Sequence, residues 1–166
     1  MKTIYLTGFM GSGKTTIGRE LARYLQLPVI DTDEEIIKET GISINEIFST
    51  YGESHFRDLE VKILSSLPTQ NVVITTGGGI VLKDQNREWM KKHGVLVYLH
   101  CDFEVIWTRL QHDQTRPLVK NSRKDELEQL YQSRKSVYHD YNLMIDTSAL
   151  QLSQIVKQLA DMIKNA

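Results

Sequence analysis

The sequence predicts an α/β protein built on a parallel sheet, and two patterns lead to that prediction. Short apolar runs rich in β-branched residues alternate with longer stretches of helical periodicity, as in a sheet whose strands are joined by helices. The strand runs are continuously apolar, which is typical of strands covered on both faces. The predicted strands lie at about Thr3–Thr7, Pro28–Asp31, Val72–Thr75, Val95–His100 and Leu143–Ile145.

The segments between these strands carry helical signals. Ser43-Ile-Asn-Glu46 has the spacing of a capping box, so a helix is expected to restart after Gly41. The most regular apolar spacing, at three and four residues, lies near the C-terminus. The other helices are predicted after Lys14, up to about Leu67, across 87–92, over 103–111, and from Leu152 to Ile163.

Size and composition restrict the class of protein. A chain of 166 residues suits one domain, here predicted to span 1–166. A formal net charge of −1 provides no basic field for nucleic acid, and no apolar run approaches the ~18 residues of a membrane span. The single cysteine, Cys101, cannot form an internal disulfide. We therefore expect a cytoplasmic protein that binds neither nucleic acid nor membrane.

The first strand runs into a phosphate-binding motif. Gly8-Phe-Met-Gly-Ser-Gly-Lys14-Thr15 matches G-x-x-x-x-G-K-[ST], in which backbone N–H groups surround phosphate oxygens. Lys14 is expected to reach the β- and γ-phosphates and the Thr15 hydroxyl to ligate Mg²⁺. The predicted phosphate-binding residues are Gly11, Ser12, Gly13, Lys14, Thr15 and Thr16. GTPases, motor ATPases and kinases share the motif, so it indicates the nucleotide and not the reaction.

Two aspartates close the second predicted strand, at the end where open α/β sheets bind ligands. In Asp31-Thr-Asp33, one carboxylate could organise Mg²⁺ through water and the other could accept the proton of an attacking hydroxyl. The alternative is a helix N-cap, because Asp33-Glu-Glu35 would form an acidic first turn.

Arg57 and Glu60 lie one helical turn apart, so their side chains can touch. A surface ion pair is the ordinary explanation, and it would contribute little stability. The alternative is that Glu60 holds the Arg57 guanidinium ready for a substrate carboxylate.

Thr76 and three consecutive glycines follow the third strand, and a long polar segment lies farther on. The glycines suit either a tight turn or the close approach of a ligand to the backbone. The polar segment, about 111–124, contains Arg116 and precedes a helix carrying Arg134. A loop this long in a compact domain is usually functional or disordered, and we expect a function.

Together and in this order, the P-loop, D-T-D, G-E-x-x-F-R-x-x-E, G-G-G, R-P-L and a later arginine resemble the shikimate kinase family. The resemblance extends to about Tyr138. It implies a three-layer sandwich of the P-loop NTPase type, with a five-stranded parallel sheet in the order 2-3-1-4-5. It also implies substrate-binding helices at about 33–66, a lid at about 112–124, and a monomer.

The resemblance further implies that ATP, with Mg²⁺, phosphorylates the 3-hydroxyl of shikimate on the route to aromatic amino acids. The implied shikimate-binding residues are Asp33, Arg57, Gly78, Gly79 and Arg134, with the arginines on the carboxylate and Asp33 on the hydroxyls. Lys14, Asp33 and Arg116 would be catalytic, with Arg116 on the transferring phosphate. Thr15 and Asp31 would serve the metal, and Arg109 and Gln151 would lie near the adenine.

Two alternatives remain for the function. The nearer one is gluconate kinase or another small-metabolite kinase with a P-loop. The other is a regulatory switch or nucleic-acid-dependent ATPase, which should show an N-K-x-D motif or a basic stripe; the sequence has neither. The five histidines also lack metal-ligand spacing.

Overall fold

A five-stranded parallel sheet forms the centre of the protein. The structure is a computed structural model that describes residues 1–112 and 123–166. The strands are β1 (Thr3–Thr7), β2 (Val29–Asp31), β3 (Val73–Thr75), β4 (Gly94–His100) and β5 (Leu143–Asp146), in the spatial order β2-β3-β1-β4-β5. The predicted fold class and strand order are therefore confirmed.

Helices connect the strands. They are α1 (Lys14–Leu25), α2 (Thr32–Thr40), α3 (Ile44–Tyr51), α4 (Glu53–Ser66), α5 (Asp84–His93), α6 (Phe103–His112), α7 (Lys124–Tyr138) and α8 (Leu152–Lys164). A short 3₁₀ turn spans Ile80–Leu82. Most of the predicted lid at 112–124, including Arg116, lies outside the described residues. Within the described ranges, no helix has the length and apolarity needed to cross a membrane.

The sheet separates two apolar clusters, which explains why the strands read as continuous apolar runs. On β1, Tyr5 belongs to one cluster, whereas Ile4 and Leu6 belong to the other. Helices α5, α6 and α7 contribute to the first cluster, and α1 and α8 contribute to the second. Burial of both faces is the main stabilising contribution to such a fold.

Helices α2, α3 and α4 have a small core of their own. Ile36, Ile47, Phe56 and Ile63 pack together there. Ser43 begins α3 as predicted, because its Oγ accepts a hydrogen bond from the backbone N–H of Glu46 at 3.1 Å. This unit coincides with the segment expected to bind substrate, about 33–66.

The N-cap alternative is correct for Asp31, which caps α2, and Asp33, Glu34 and Glu35 form the expected acidic first turn. Asp31 Oδ1 accepts hydrogen bonds from the backbone N–H groups of Asp33 at 2.9 Å and Glu34 at 3.2 Å. Its Oδ2 accepts another from the Thr75 hydroxyl at 2.7 Å. Because Asp31 supplies the cap, Asp33 lies within the first turn of α2, and its Oδ1 approaches the backbone at Gly77.

Strand register brings the functional loops to one edge of the sheet. Leu6 and Asp31 both pair with Thr75, and Thr7 pairs with Tyr98. Because all pairs are parallel, the segments that follow the strands emerge on the same side. The phosphate loop, the start of α2 and the glycine turn are therefore neighbours.

Candidate active site

The phosphate loop joins β1 to α1 in a conformation that only glycine adopts easily. Gly11 and Gly13 have φ values of +78° and +92°, in the left-handed region. Lys14 Nζ donates hydrogen bonds to the carbonyl oxygens of Gly8 at 2.6 Å and Phe9 at 3.0 Å. The ammonium thus lies across the loop, at the positive N-terminal end of α1, where the chain is suited to bind phosphate.

A cavity of about 340 Å³ opens beside this loop, within the usual size range for small-molecule sites. It brings together these predicted residues: Gly11, Gly13, Lys14, Thr15, Thr16 and Arg109. Arg109 Nη1 also donates a hydrogen bond to the Gly11 carbonyl at 3.1 Å. Sequence reasoning missed the apolar part of the lining and the threonine beside it, which are Ile17, Leu110, Leu150, Leu152, Ile155 and Thr147.

Two predicted nucleotide-site residues do not line this cavity. Ser12 is fully buried. Gln151 is the N-cap of α8, where its side chain and that of Gln154 form a reciprocal capping box. Its neighbours Leu150 and Leu152 line the cavity instead. The sequence did carry a signal for these two lining residues, because an apolar residue stands on each side of Gln151.

Thr15 and Asp31 meet at a second, smaller cavity, which they line with Thr75. Its volume of about 30 Å³ suits an ordered water. Hydroxyl and carboxylate oxygens are the donors that Mg²⁺ prefers, and this ion usually keeps several of its waters. Since both Asp31 oxygens already accept hydrogen bonds, these residues fit a Mg²⁺ ion held by Thr15 and, through water, by Asp31.

The glycine turn at 77–79 collects the predicted acceptor-site residues. A Cβ added at Gly79 would lie 2.5 Å from Arg57 Cζ, so a side chain there would have to displace the guanidinium. Cβ atoms at the two preceding glycines would lie 2.8 Å from Asp33 Oδ1 and 3.8 Å from Arg134 Nη1. The glycines therefore allow one carboxylate and two guanidinium groups to approach the same stretch of backbone.

Arg57 and Glu60 form a buried ion pair, so the surface-pair alternative is wrong. Arg57 Nη1 lies 2.6 Å from Glu60 Oε1, and the two side chains are 12% and 1% exposed. Burial raises the pKa of Glu60 to about 7, although Arg57 opposes the rise. Among the described residues, Glu60 Oε2 has no hydrogen-bond partner. A second carboxylate, Glu53, lies 3.2 Å from Arg57 Nη2 and holds the other side of the guanidinium.

Tyr138 ties the glycine turn to the helix that carries Arg134. Its hydroxyl donates a hydrogen bond to the Gly78 carbonyl oxygen. Burial raises the pKa of Tyr138 to about 12, with Arg134 opposing the rise, so the phenol keeps its proton at neutral pH. The bond spans 60 positions of the chain, and sequence reasoning gave Tyr138 no role.

Comparisons with known proteins agree with this geometry. A family model described as shikimate kinase matches residues 10–164. A shikimate kinase of Bacillus anthracis is 46% identical over 163 residues, which cover 98% of this chain and 99% of that protein. The chain belongs to the shikimate kinase family. Members of this family are ATP-dependent kinases that use Mg²⁺. This protein is therefore an ATP-dependent kinase that uses Mg²⁺.

Solved structures agree with the shikimate kinase assignment. A shikimate kinase from Acinetobacter baumannii, in complex with shikimate, has a TM-score of 0.91 and 34% identity over 99% of this chain and 94% of that one. A gluconokinase from Sinorhizobium meliloti, covering 99% of this chain and 94% of that one, reaches a TM-score of 0.58 at 23% identity. The similarity to the gluconokinase shows only that the two proteins share a fold.

Glu60 gives a prediction about pH and stability. Its pKa in the folded protein, about 7, lies above the ordinary value of 4.5. Its contribution to stability is therefore full below about pH 4.5 and is lost as the pH rises through 7. The Glu60→Gln variant cannot ionise, so it should gain stability relative to wild type by on the order of 2–3 kcal/mol across that interval. Denaturant unfolding at a series of pH values measures this difference.

Glu53→Gln is the matched control, because Glu53 also pairs with Arg57 but its side chain is 60% exposed. The stability of this variant relative to wild type should change little over the same interval. If the curves for Glu60→Gln and wild type stay parallel, Glu60 does not titrate as described.

Proposed function

We propose that this chain transfers the γ-phosphoryl group of ATP to the 3-hydroxyl of shikimate, giving shikimate 3-phosphate and ADP. The observation that carries the proposal is the position of the glycine turn. A Cβ at Gly78 would lie 3.6 Å from the backbone nitrogen of Met10, in the phosphate loop. The same turn contacts Arg57 and Asp33, so an acceptor held by these residues would lie beside the phosphates.

The charges around the turn suit an acceptor that carries both a carboxylate and hydroxyl groups. Arg57 and Arg134 would bind the carboxylate, since a guanidinium can donate two parallel hydrogen bonds to it. Glu60 and Glu53 hold the Arg57 guanidinium before substrate arrives, which lowers the ordering cost of binding. The backbone of Gly78 and Gly79 would then contact the acceptor directly, because no side chain intervenes.

Phosphoryl transfer relies mainly on positioning and on charge stabilisation. The N–H groups of residues 11–13 and the Lys14 ammonium would hold the β- and γ-phosphates. Mg²⁺, held by Thr15 and through water by Asp31, would supply positive charge to the phosphate oxygens. Thr16, at the start of α1, would contact the nucleotide as well. Arg116, which lies outside the described residues, is proposed to contact the transferring phosphate.

Asp33 is proposed to orient the attacking hydroxyl and accept its proton. Its Oδ1 approaches the glycine turn, and Asp31, not Asp33, satisfies the N-terminal N–H groups of α2. The carboxylate of Asp33 is therefore positioned for work at the acceptor.

The base of ATP is proposed to occupy the apolar end of the larger cavity. Arg109 lies along that cavity with Leu110, Leu150 and Leu152. Gln151, between the two leucines, remains a predicted contact of the adenine. We further propose that the protein acts as a monomer in the cytoplasm, in aromatic amino-acid biosynthesis; the mass in solution, measured by light scattering, tests the first of these statements.

The acceptor itself is tested by ADP release in a coupled assay. Shikimate should be phosphorylated with far higher kcat/KM than gluconate or nucleoside monophosphates. Its ring fixes the carboxylate relative to the hydroxyl groups, so it loses less freedom on binding than open-chain gluconate, and nucleoside monophosphates have no carboxylate for the arginine pair. Lys14→Ala is the negative control and should abolish turnover of every acceptor. Faster turnover of gluconate than of shikimate would contradict the proposal and would favour the gluconate kinase alternative.

The Asp33→Asn variant distinguishes a catalytic role of Asp33 from a structural one. Asparagine has the same shape but takes up no proton and accepts weaker hydrogen bonds than a carboxylate. We expect kcat to fall by on the order of 10²-fold or more, the usual scale of general-base assistance. The melting temperature should barely change, because Asp31 provides the cap of α2.

Glu39→Gln is the matched control for this variant, since Glu39 lies at the far end of the same helix and its side chain is 46% exposed. Its kcat should equal that of wild type. A normal kcat for Asp33→Asn would mean that Asp33 is not the base.

A further inference from the structure

Three potential metal ligands converge at the ends of the last two strands of the sheet. His100 ends β4, Asp146 ends β5, and Asp102 immediately precedes α6. One ligand atom from each lies within 4.8 Å of the others. His100 and Asp146 are paired directly by the parallel register of β4 and β5, so neighbouring strands fix their proximity. The kinase mechanism proposed above uses none of the three.

The imidazole of His100 is oriented from both sides. Its Nδ1 lies 3.3 Å from the hydroxyl of Tyr98, two residues earlier on the same strand. Its Nε2 faces the carboxylate of Asp102 at 3.2 Å. A histidine that ligates a metal usually has its other ring nitrogen held by a neighbouring polar group, which fixes the ring and the tautomer. Tyr98 provides such a group, and Nε2 is the nitrogen that faces the Asp102 carboxylate.

Asp146 is held in place from the loop that follows β5. The backbone N–H of Ser148 donates a hydrogen bond to Asp146 Oδ1 at 2.9 Å. The hydroxyl and the backbone N–H of Ser148 keep the pKa of Asp146 below its usual value. In the same loop, Ser148 Oγ accepts a hydrogen bond from the Asp102 backbone N–H at 2.9 Å. One loop residue thus positions both aspartates.

We propose that His100, Asp102 and Asp146 form a second divalent-cation site, separate from the nucleotide-associated Mg²⁺, and that it takes a transition metal such as Zn²⁺ or Co²⁺. Imidazole is a ligand for Zn, Cu, Fe and Ni, whereas Mg²⁺ is served by carboxylate, carbonyl and water oxygens. One imidazole and two carboxylates leave room for water to complete the coordination, as in zinc sites with an open position.

The site would link two segments that also form the nucleotide cavity. Thr147, next to Asp146, lines that cavity and donates hydrogen bonds from its N–H and hydroxyl to the His100 carbonyl at 2.8 and 2.9 Å. Helix α6, which begins just after Asp102, carries Arg109 and Leu110 of the same lining. A cation that binds the folded arrangement and not the unfolded chain should therefore stabilise this edge of the sheet.

The sequence could not show this cluster, because Asp146 is far along the chain from His100 and Asp102. His100 and Asp146 are separated by 46 positions. Only the parallel pairing of β4 with β5 brings them together. The spacing of the histidines in the sequence therefore gave no sign of this cluster, which contains only one of them.

Titration of the nucleotide-free protein tests the proposal without depending on the kinase reaction. Isothermal titration with Zn²⁺, and visible absorption with Co²⁺ as the probe, should each show saturable binding of one ion per chain. Zn²⁺ should also raise the melting temperature. Asp146→Asn and His100→Ala should each weaken binding at least about tenfold, the least that even an outer-shell partner contributes, and should remove most of the rise in melting temperature.

Two further variants keep the test decisive. Asp102→Asn alters a side chain that is 65% exposed, so it should fold normally and still weaken binding. His55→Ala removes an exposed histidine elsewhere on the surface and should bind as wild type does. Absence of saturable binding up to about 1 mM, or equal binding by wild type and all three site variants, would overturn the proposal.

Discussion

The buried ion pair between Arg57 and Glu60 is the interaction on which the proposed acceptor site depends. A carboxylate removed from water is unfavourable unless it is paired, and Glu60 is buried with Arg57 as its close partner. The guanidinium in turn packs against Gly79, where any side chain would displace it. In the proposed role of Arg57, a cation fixed in this way would be in place before a substrate carboxylate arrives, so less freedom would be lost on binding.

Parallel strand register explains why this cation lies beside the phosphate loop. The segments after β1, β2 and β3 emerge on one edge of the sheet, and they contribute the phosphate loop, Asp33 and the glycine turn. The hydrogen bond from Tyr138 to Gly78 attaches the helix that carries Arg134 to the same turn. Both halves of the site therefore share one rigid edge, as phosphoryl transfer between two bound molecules requires.

Features encoded by local pattern could be predicted from the sequence, and features that depend on distant contacts could not. The strands, the phosphate loop and the Ser43 cap are local, because apolar runs, glycines and capping spacing lie within a few residues. The sequence could not decide whether Asp31 or Asp33 is the N-cap, because the answer depends on the residue at which α2 begins. The burial of Glu60 and the role of Tyr138 depend on packing across the fold, and helical spacing alone suggested a surface ion pair for Glu60.

The space at Gly79 offers the most direct test of the account, which holds that this glycine lets Arg57 bind the substrate carboxylate. Isothermal titration of shikimate and of a non-hydrolysable ATP analogue would be compared between wild type and Gly79→Ala. Because the new methyl group would displace the guanidinium, shikimate affinity should fall by about tenfold or more, as misplacement of a positioning group by about 1 Å can cost 10²-fold. Affinity for the ATP analogue should not change. Unchanged shikimate affinity in Gly79→Ala would contradict the account.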